Sequence, residues 1–146
     1  MDNITNSWLN LASIIPIDFR IGTAEDCHPD EAILAKAKAN PDSRIVITDD
    51  PKEAVADADV VYTDVWASMG QKHLYEEKEQ KLKKFQINSS LLEMASPDAI
   101  VMHCLPAERG REITDEVMDG PQSVVFDEAE NRLHIQKAIM VFLAEH

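Results

Sequence analysis

Glycine is scarce in this chain, since only four of its 146 residues are glycines. They are Gly22, Gly70, Gly110 and Gly120, and no two of them lie close enough to build a glycine-rich turn around a phosphate group. The sequence therefore gives no support to Rossmann-type dinucleotide binding or to P-loop nucleotide hydrolysis.

Basic residues are also few, with 14 lysines and arginines against 27 aspartates and glutamates, and the net charge is -13. No segment gathers enough lysine and arginine to form the cationic surface that a phosphate backbone requires. We therefore expect no nucleic-acid partner.

Long apolar runs are missing as well. The run 138–144 is much shorter than the roughly 20 residues that span a bilayer, and the first residues are polar rather than typical of a signal peptide. The two cysteines, Cys27 and Cys104, form neither a disulfide framework nor a zinc-binding spacing. These absences predict a cytoplasmic protein with no membrane partner and no metal site.

What is present is an alternation of short β-branched runs with segments of helical period, which is typical of stacked βα units. The length suits one domain. We therefore expect an α/β fold with a doubly wound, mostly parallel sheet and helices on both faces. The predicted strands are Ile17–Ile21, Arg44–Thr48, Val60–Thr63, Ala99–His103 and Ser123–Phe126.

Helix starts are marked by local signals. Asp50 followed by Pro51 places a capping acceptor before a proline at the first helical position. Further helices are predicted from Pro29, near Asn88 and from Thr114. Two longer helical segments are predicted over 72–85 and 128–145.

Ligands of open parallel sheets bind beyond the carboxyl ends of the strands, so the residues that follow each strand are the candidates for function. Asp64 and Ser68 follow the third predicted strand, in the loop that ends at Gly70. A carboxylate, a hydroxyl and free backbone N–H groups suit a zwitterionic ligand. The alternative is that Asp64 and Ser68 only cap the next helix.

His103, Cys104, Leu105 and Pro106 follow the fourth predicted strand. Proline favours an extended Leu105, whose carbonyl is then available to a ligand. The alternatives are a buried inert thiol and a hydrogen-bonded histidine, and no second group is spaced to force a Cys–His catalytic pair.

Arg132 follows the fifth predicted strand, near the start of the last helix. An arginine in that position suits an oxyanion or phosphate group, whereas pairing with Asp127, Glu128 or Glu130 is the competing outcome.

Four segments together resemble the ornithine carbamoyltransferases. They are Asn3–Trp8, Asp64–Gly70, His103–Ala107 and Ala129–His134. The resemblance covers essentially the whole chain, 1–146, as the ornithine-binding domain of that family, which is a Rossmann-like three-layer domain. It implies transfer of a carbamoyl group from carbamoyl phosphate to L-ornithine, giving L-citrulline and phosphate in arginine biosynthesis, without a metal or organic cofactor.

The resemblance also implies roles for individual residues. Asn3, Asp64, Ser68 and Met69 would hold the α-amino and α-carboxylate groups of ornithine. The segment with His103 would place Cys104 and the Leu105 carbonyl at the reacting nitrogens, and Arg132 would hold carbamoyl phosphate. The resemblance thus implies that Cys104 and Arg132 are catalytic residues, and that the substrate-binding residues are Asn3, Asp64, Ser68, Met69, His103 and Leu105.

The chain also departs from the family. The Ser-x-Arg-Thr motif of the N-terminal domain that binds carbamoyl phosphate has no match here, so this half is expected to be inactive alone. The first strand of the family's C-terminal domain has no counterpart either, which would leave two strands without a partner and favour self-association. Family members are commonly trimers.

Competing interpretations are a non-catalytic amino-acid-binding or assembly module and a stand-alone flavodoxin-like domain.

Overall fold

The computed structural model describes residues 3–66 and 75–146. The strands are β1 (Asp18–Gly22), β2 (Arg44–Thr48), β3 (Val60–Thr63) and β4 (Ile100–His103). The helices are α1 (Asn3–Ala12), α2 (Glu31–Lys38), α3 (Pro51–Val55), α4 (Tyr75–Leu82), α5 (Ser89–Leu92), α6 (Asp115–Met118) and α7 (Val125–Glu145), and a 3-10 turn covers Lys83–Phe85. The α/β fold predicted from the sequence is confirmed.

Side-chain caps explain where three of the helices begin. The Asp30 carboxylate accepts N–H groups of the first turn of α2, which begins two residues after its predicted start at Pro29. Asp50 caps α3, with Pro51 at its first position, and Asn88 caps α5. Each cap satisfies backbone donors that have no partner inside the helix.

The strands form two parallel pairs. In one pair Asp18 lies opposite Arg44, and in the other Thr63 lies opposite His103. The parallel direction agrees with the sequence prediction, but the described strands form two sheets of two strands rather than one continuous sheet.

The two strand pairs lie side by side, as the contacts of Trp8 show. This residue of α1 contacts one strand of each pair. The Trp8 ring lies 6.3 Å from the Phe19 ring of β1 and 5.8 Å from the Tyr62 ring of β3, measured between centroids. A groove of about 360 Å³, lined by both β1 and β3, lies between the pairs. We call it the inter-pair groove. Within the part of the chain that the structure describes, β1 and β3 each pair with a strand on one edge only.

Two apolar clusters hold these elements together. The larger one packs beneath β3 and β4 and includes Val101, Ile113 and Val125, which are fully buried. The smaller one packs α1 and α2 against β1 through Leu9 and Ala37. The larger cluster therefore fixes the pair of strands that leads into the candidate site.

The prediction of a fifth strand over 123–126 is wrong. Ser123 forms only an isolated bridge with Val101, and α7 begins at Val125. The Glu128 N–H donates to the Val124 carbonyl over 2.8 Å and closes a helical turn there. The acidic residues that follow stabilise a helix N-terminus, and this effect outweighs the β propensity of two consecutive valines.

The strands β1 and β4 differ by one residue from their predicted bounds, and two helices differ by more. The helix predicted over 72–85 is observed from Tyr75 and ends in the 3-10 turn, and its first predicted residues, 72–74, lie outside the described residues. The last helix begins three residues before its predicted start.

Helix α7 exposes large apolar side chains along its second half, including Met140 and Leu143, which are 63% and 70% exposed. Even so, no helix in the described ranges is long and apolar enough to cross a bilayer. An apolar surface of this kind favours contact with another protein surface.

We predict that the chain self-associates, because α7 exposes apolar side chains and each of the described strands pairs with another strand on one edge only. Sedimentation velocity over a wide range of concentrations should show a mass that rises above that of one chain. The double variant Met140→Glu/Leu143→Glu should shift the distribution towards the monomer, whereas Glu145→Gln should not. A monodisperse monomer at every concentration would contradict the prediction.

Candidate functional site

The candidate site lies where β3 and β4 end. Because Thr63 is paired with His103 in a parallel register, the residues that follow these two strands emerge side by side. The Cys104 Sγ–H donates to the Asp64 Oδ1 over 3.0 Å. The structure thus brings together two of the residues that the sequence singled out, although 40 positions separate them.

The two residues joined by this hydrogen bond line different cavities. Cys104 lines an open cavity of about 720 Å³ together with Leu105 and Arg132. Asp64 lines the inter-pair groove. The Asp64–Cys104 hydrogen bond therefore joins a residue of each cavity, and a carboxylate, a thiol and a guanidinium lie around one edge of the fold.

The Cys104 thiol is held in its neutral form. Burial raises the pKa of Cys104 to about 12, and the hydrogen bond and negative charge of Asp64 act in the same direction. Nucleophilic cysteines need a lowered pKa, because the thiolate is the reactive species. The environment of Cys104 therefore suits a hydrogen-bonding and positioning group rather than a nucleophile.

His103 lies beneath the site and is fully buried. Its Nδ1 accepts the Leu105 N–H over 2.9 Å, so a neutral ring carries its proton on Nε2. Nε2 lies 3.1 Å from the Glu112 Oε1 and donates to it. The His103 side chain therefore contacts Leu105 and Glu112 rather than either cavity.

Leu105 does not have the extended conformation predicted for a residue before proline. Its φ is +55° and its peptide bond to Pro106 is cis. The left-handed region costs a residue with a Cβ about 1–2 kcal/mol, and the hydrogen bond to the His103 ring holds the Leu105 N–H in place. The hydrogen bond to the His103 side chain thus outweighs the preference of Leu105 for an extended backbone before proline.

Glu128, at the start of α7, ties three elements together. One carboxylate oxygen accepts the Tyr62 hydroxyl of β3 over 2.6 Å, and the other accepts the His103 N–H of β4 over 3.0 Å. Burial and the Glu128 carboxylate both raise the pKa of the Tyr62 hydroxyl above its usual range, so this hydroxyl stays a donor.

Arg132 lies one helical turn after Glu128, is exposed, and lines the open cavity. The competing ion pairs weighed for it do not form in the described part of the chain, where no ion pair within 4.0 Å includes Arg132. Glu128 binds Tyr62, and Glu130 binds His134. The guanidinium is therefore available to an anionic ligand.

The remaining predicted site residues stand apart from this group or are not described. Asn3 is exposed at the first position of α1, and the neighbouring Ile4, Thr5 and Trp8 line the inter-pair groove instead. Ser68 and Met69 lie outside the described residues.

One group of side chains has the composition of a metal site. Asp64, His103 and Cys104 each place one potential ligand atom within 4.8 Å of the others. Both ring nitrogens of His103 already have protein partners. Metal binding by this ring would therefore break its bond to Leu105 or to Glu112.

Sequence reasoning missed Glu112 and Tyr62, and it considered Glu128 only as a partner of Arg132. Tyr62 and Glu128 are 66 positions apart, and Glu112 follows no strand. The one available signal was the buried strand position of His103, because a buried imidazole needs partners for both nitrogens.

Replacing Asp64 by asparagine should make Cys104 more reactive. Removing the carboxylate charge lowers the thiol pKa from about 12 towards its usual value of 9.0, so the thiolate fraction at mildly alkaline pH rises. The pH dependence of iodoacetamide alkylation, measured by mass spectrometry in a Cys27→Ser background, checks this. An unchanged or slower rate in Asp64→Asn would contradict it.

Removing the Glu128 carboxylate should destabilise the fold. Glu128→Ala leaves two half-buried donors without an acceptor, so we expect the free energy of unfolding to fall by about 2–3 kcal/mol. Tyr62→Phe removes only one of the two bonds and should cost about 1 kcal/mol. Urea unfolding followed by Trp fluorescence measures both, and equal losses in the two variants would refute the two-bond arrangement.

The sequence of this chain is similar to those of known proteins. The family model described as "Aspartate/ornithine carbamoyltransferase, Asp/Orn binding domain" matches residues 1–143. The ornithine carbamoyltransferase of Chlorobaculum tepidum is 51% identical over 145 residues, which are 99% of this chain and 43% of that protein. That of Methanosarcina mazei is 53% identical over 142 residues, which are 97% of this chain and 47% of that protein.

A solved structure shows the same fold. The ornithine carbamoyltransferase from Pyrococcus furiosus is 46% identical with a TM-score of 0.86, and the match covers 92% of this chain and 44% of that one. The chain spans a little under half the length of the relatives it matches. By the family match over 143 residues, the chain belongs to the Asp/Orn-binding domain family of the aspartate/ornithine carbamoyltransferases.

Proposed function

We propose that this chain is the ornithine-binding half of an ornithine carbamoyltransferase. In the reaction the δ-amino nitrogen of L-ornithine bonds to the carbamoyl carbon of carbamoyl phosphate. The carbon–oxygen bond to phosphate breaks, phosphate takes that electron pair, and the amine loses a proton. The observation that supports the proposal is the grouping of Asp64, Cys104, Leu105 and Arg132 at one edge of the fold.

Asp64 is the proposed partner of the α-ammonium group of ornithine. Its carboxylate lies at the end of β3, half-buried, and its Oδ1 already accepts the Val65 N–H and the Cys104 thiol. The other carboxylate oxygen can take an ammonium donor. Asn3, Ser68 and Met69 are proposed for the remaining α-amino and α-carboxylate contacts.

Cys104 and Leu105 are proposed to orient the reacting nitrogen. A neutral thiol and a backbone carbonyl can hold an uncharged amine by hydrogen bonds, and only the uncharged amine has the lone pair that attacks the carbamoyl carbon. Such orientation accelerates a reaction between two bound substrates without a covalent intermediate. The raised pKa of the thiol supports this role, because a thiolate would instead favour the charged ammonium form.

Arg132 is the proposed contact to the carbamoyl phosphate oxygens. A guanidinium suits phosphate geometry, and this one has no ion-pair partner among the described residues. The remaining phosphate contacts would come from the N-terminal domain of the family, which this chain does not match. We therefore also propose that the chain alone does not catalyse carbamoyl transfer.

The setting of the reaction is part of the same proposal. Ornithine and carbamoyl phosphate are the proposed small-molecule partners, with citrulline formed for arginine biosynthesis in the cytoplasm. No metal or organic cofactor is assigned to the chemistry. The trimeric state common in the family is proposed for the complete protein.

Calorimetric titration of L-ornithine into the chain tests the binding half of the proposal. Saturable binding is expected, and Asp64→Ala should weaken it at least about tenfold because a charge-assisted hydrogen bond is lost. Asp98→Asn, an exposed acidic position before β4 at the opposite end of the sheet, is the matched control and should bind normally. No binding by the wild type, or equal losses in both variants, would count against the proposal.

Complementation tests the catalytic half. Citrulline should form when the chain is mixed with a separately produced carbamoyl-phosphate-binding domain of a relative, and Arg132→Ala should abolish most of that activity. Ornithine binding without citrulline in the mixture would favour the binding or assembly module considered above.

A further inference from the structure

We propose that Glu112 is a positioning residue of this site. It acts through His103 on the Leu105 peptide, and so on the Cys104–Leu105 segment that faces the open cavity. The role in ornithine binding rests on the proposed function, whereas the positioning itself is a property of the chain.

The contacts form a continuous path from the core to the cavity. The Glu112 carboxyl accepts the His103 Nε2–H over 3.1 Å, and the His103 Nδ1 accepts the Leu105 N–H over 2.9 Å. Glu112 and His103 are both fully buried, whereas Leu105 lines the cavity beside Cys104. The position of the Leu105 peptide therefore depends on the orientation of the His103 ring, and that orientation depends on Glu112.

Glu112 determines which nitrogen of His103 carries the proton. An imidazole can accept the Leu105 N–H only at an unprotonated Nδ1, so its proton must stay on Nε2. The Glu112 Oε1 is the acceptor that stabilises this tautomer. The same oxygen accepts the Glu108 N–H, which ties the loop after Pro106 to the same carboxyl.

The bond from His103 holds an unfavourable backbone conformation. Leu105 has a φ of +55°, a region that residues with a Cβ avoid. Without the acceptor at Nδ1, the Leu105 N–H loses its partner and the backbone can relax towards a commoner region. The direction of the Leu105 carbonyl and the position of the Cys104 thiol would then change.

Glu112 is also an unusual choice for a purely structural position. Its second oxygen, Oε2, is buried without a hydrogen-bond partner among the described residues. A buried polar atom without a partner costs stability. This cost is accounted for if the carboxyl is needed to orient His103.

Alkylation of Cys104 tests the proposal without any ligand, in a Cys27→Ser background. Glu112→Leu should alkylate at least about fivefold faster with iodoacetamide, because the lost bond frees the Leu105 segment. Glu112→Gln keeps an acceptor for the Nε2–H and should stay within about twofold of the wild type. Equal rates in Glu112→Leu and wild type would overturn the proposal.

A double-mutant cycle separates positioning from general loosening. In His103→Asn the side-chain oxygen lies near the place of Nδ1, so it can accept the Leu105 N–H without help from Glu112. Glu112→Leu should therefore add little to the alkylation rate in that background. The full fivefold effect in both backgrounds would show that Glu112 acts by another route and would overturn the proposal.

Nitrogen NMR of the histidine rings gives a readout that a merely structural role would not move. The wild type should show His103, assigned by its loss in His103→Asn, as the Nε2–H tautomer, and Glu112→Leu should shift it towards Nδ1–H. A wild-type Nδ1–H tautomer would overturn the proposal. If Glu112→Leu fails to fold, Glu112→Asp replaces it, because the shorter side chain withdraws the carboxyl from Nε2.

Ornithine titration completes the test. Glu112→Leu should weaken binding at least about fivefold, and Glu112→Gln should not. If the wild type binds no ornithine, the proposed function fails, while alkylation and NMR still decide the role of Glu112. If ornithine binds equally to wild type and Glu112→Leu, the positioning role is refuted and the proposed function stands.

Discussion

The parallel pairing of β3 with β4 is the constraint on which the rest of the site depends. Its register places Thr63 opposite His103, so two loops that are distant in sequence leave the sheet at the same level. The fully buried Val101 and the nearly buried Val61 fix this pair against the larger core cluster. Hydrophobic burial thus determines where Asp64 and Cys104 lie. The hydrogen bond between them only adjusts the positions of their side chains.

Burial at the end of the strand pair has a second effect, because it forces polar groups to find partners. The buried His103 uses both ring nitrogens, and Glu128 binds a donor with each oxygen. Groups satisfied in this way lose rotational freedom, which suits the orienting role proposed for this site. The same low polarity raises the pKa of the Cys104 thiol and so keeps it neutral.

Much of this arrangement could be predicted from the sequence, because short β-branched runs and capping residues are local signals. Those signals located β2 and β3 exactly and pointed to the residues after β3 and β4. They failed at 123–126, where acidic residues near a helix start outweigh two valines. They also failed at Leu105, whose backbone is set by the His103 ring rather than by the proline that follows.

Glu112 and Glu128 show why the rest could not be predicted. Their carboxyls matter through His103 and Tyr62, which are far away along the chain or separated from them by an irregular loop. Residue type alone predicts an exposed carboxylate at both positions, since glutamate is rarely buried. Only the packed fold shows that Glu112 is fully buried and which donors it faces.

The difference between the two sides of the site follows from the same physics. Asp64, Cys104 and Leu105 are half-buried and held by hydrogen bonds, whereas Arg132 stands exposed on the rim of an open cavity. An exposed guanidinium interacts weakly with phosphate, because water screens the charges. The proposed carbamoyl transfer would therefore need a second protein surface that closes the cavity over Arg132, whereas Asp64, Cys104 and Leu105 are already held in place by contacts within this chain.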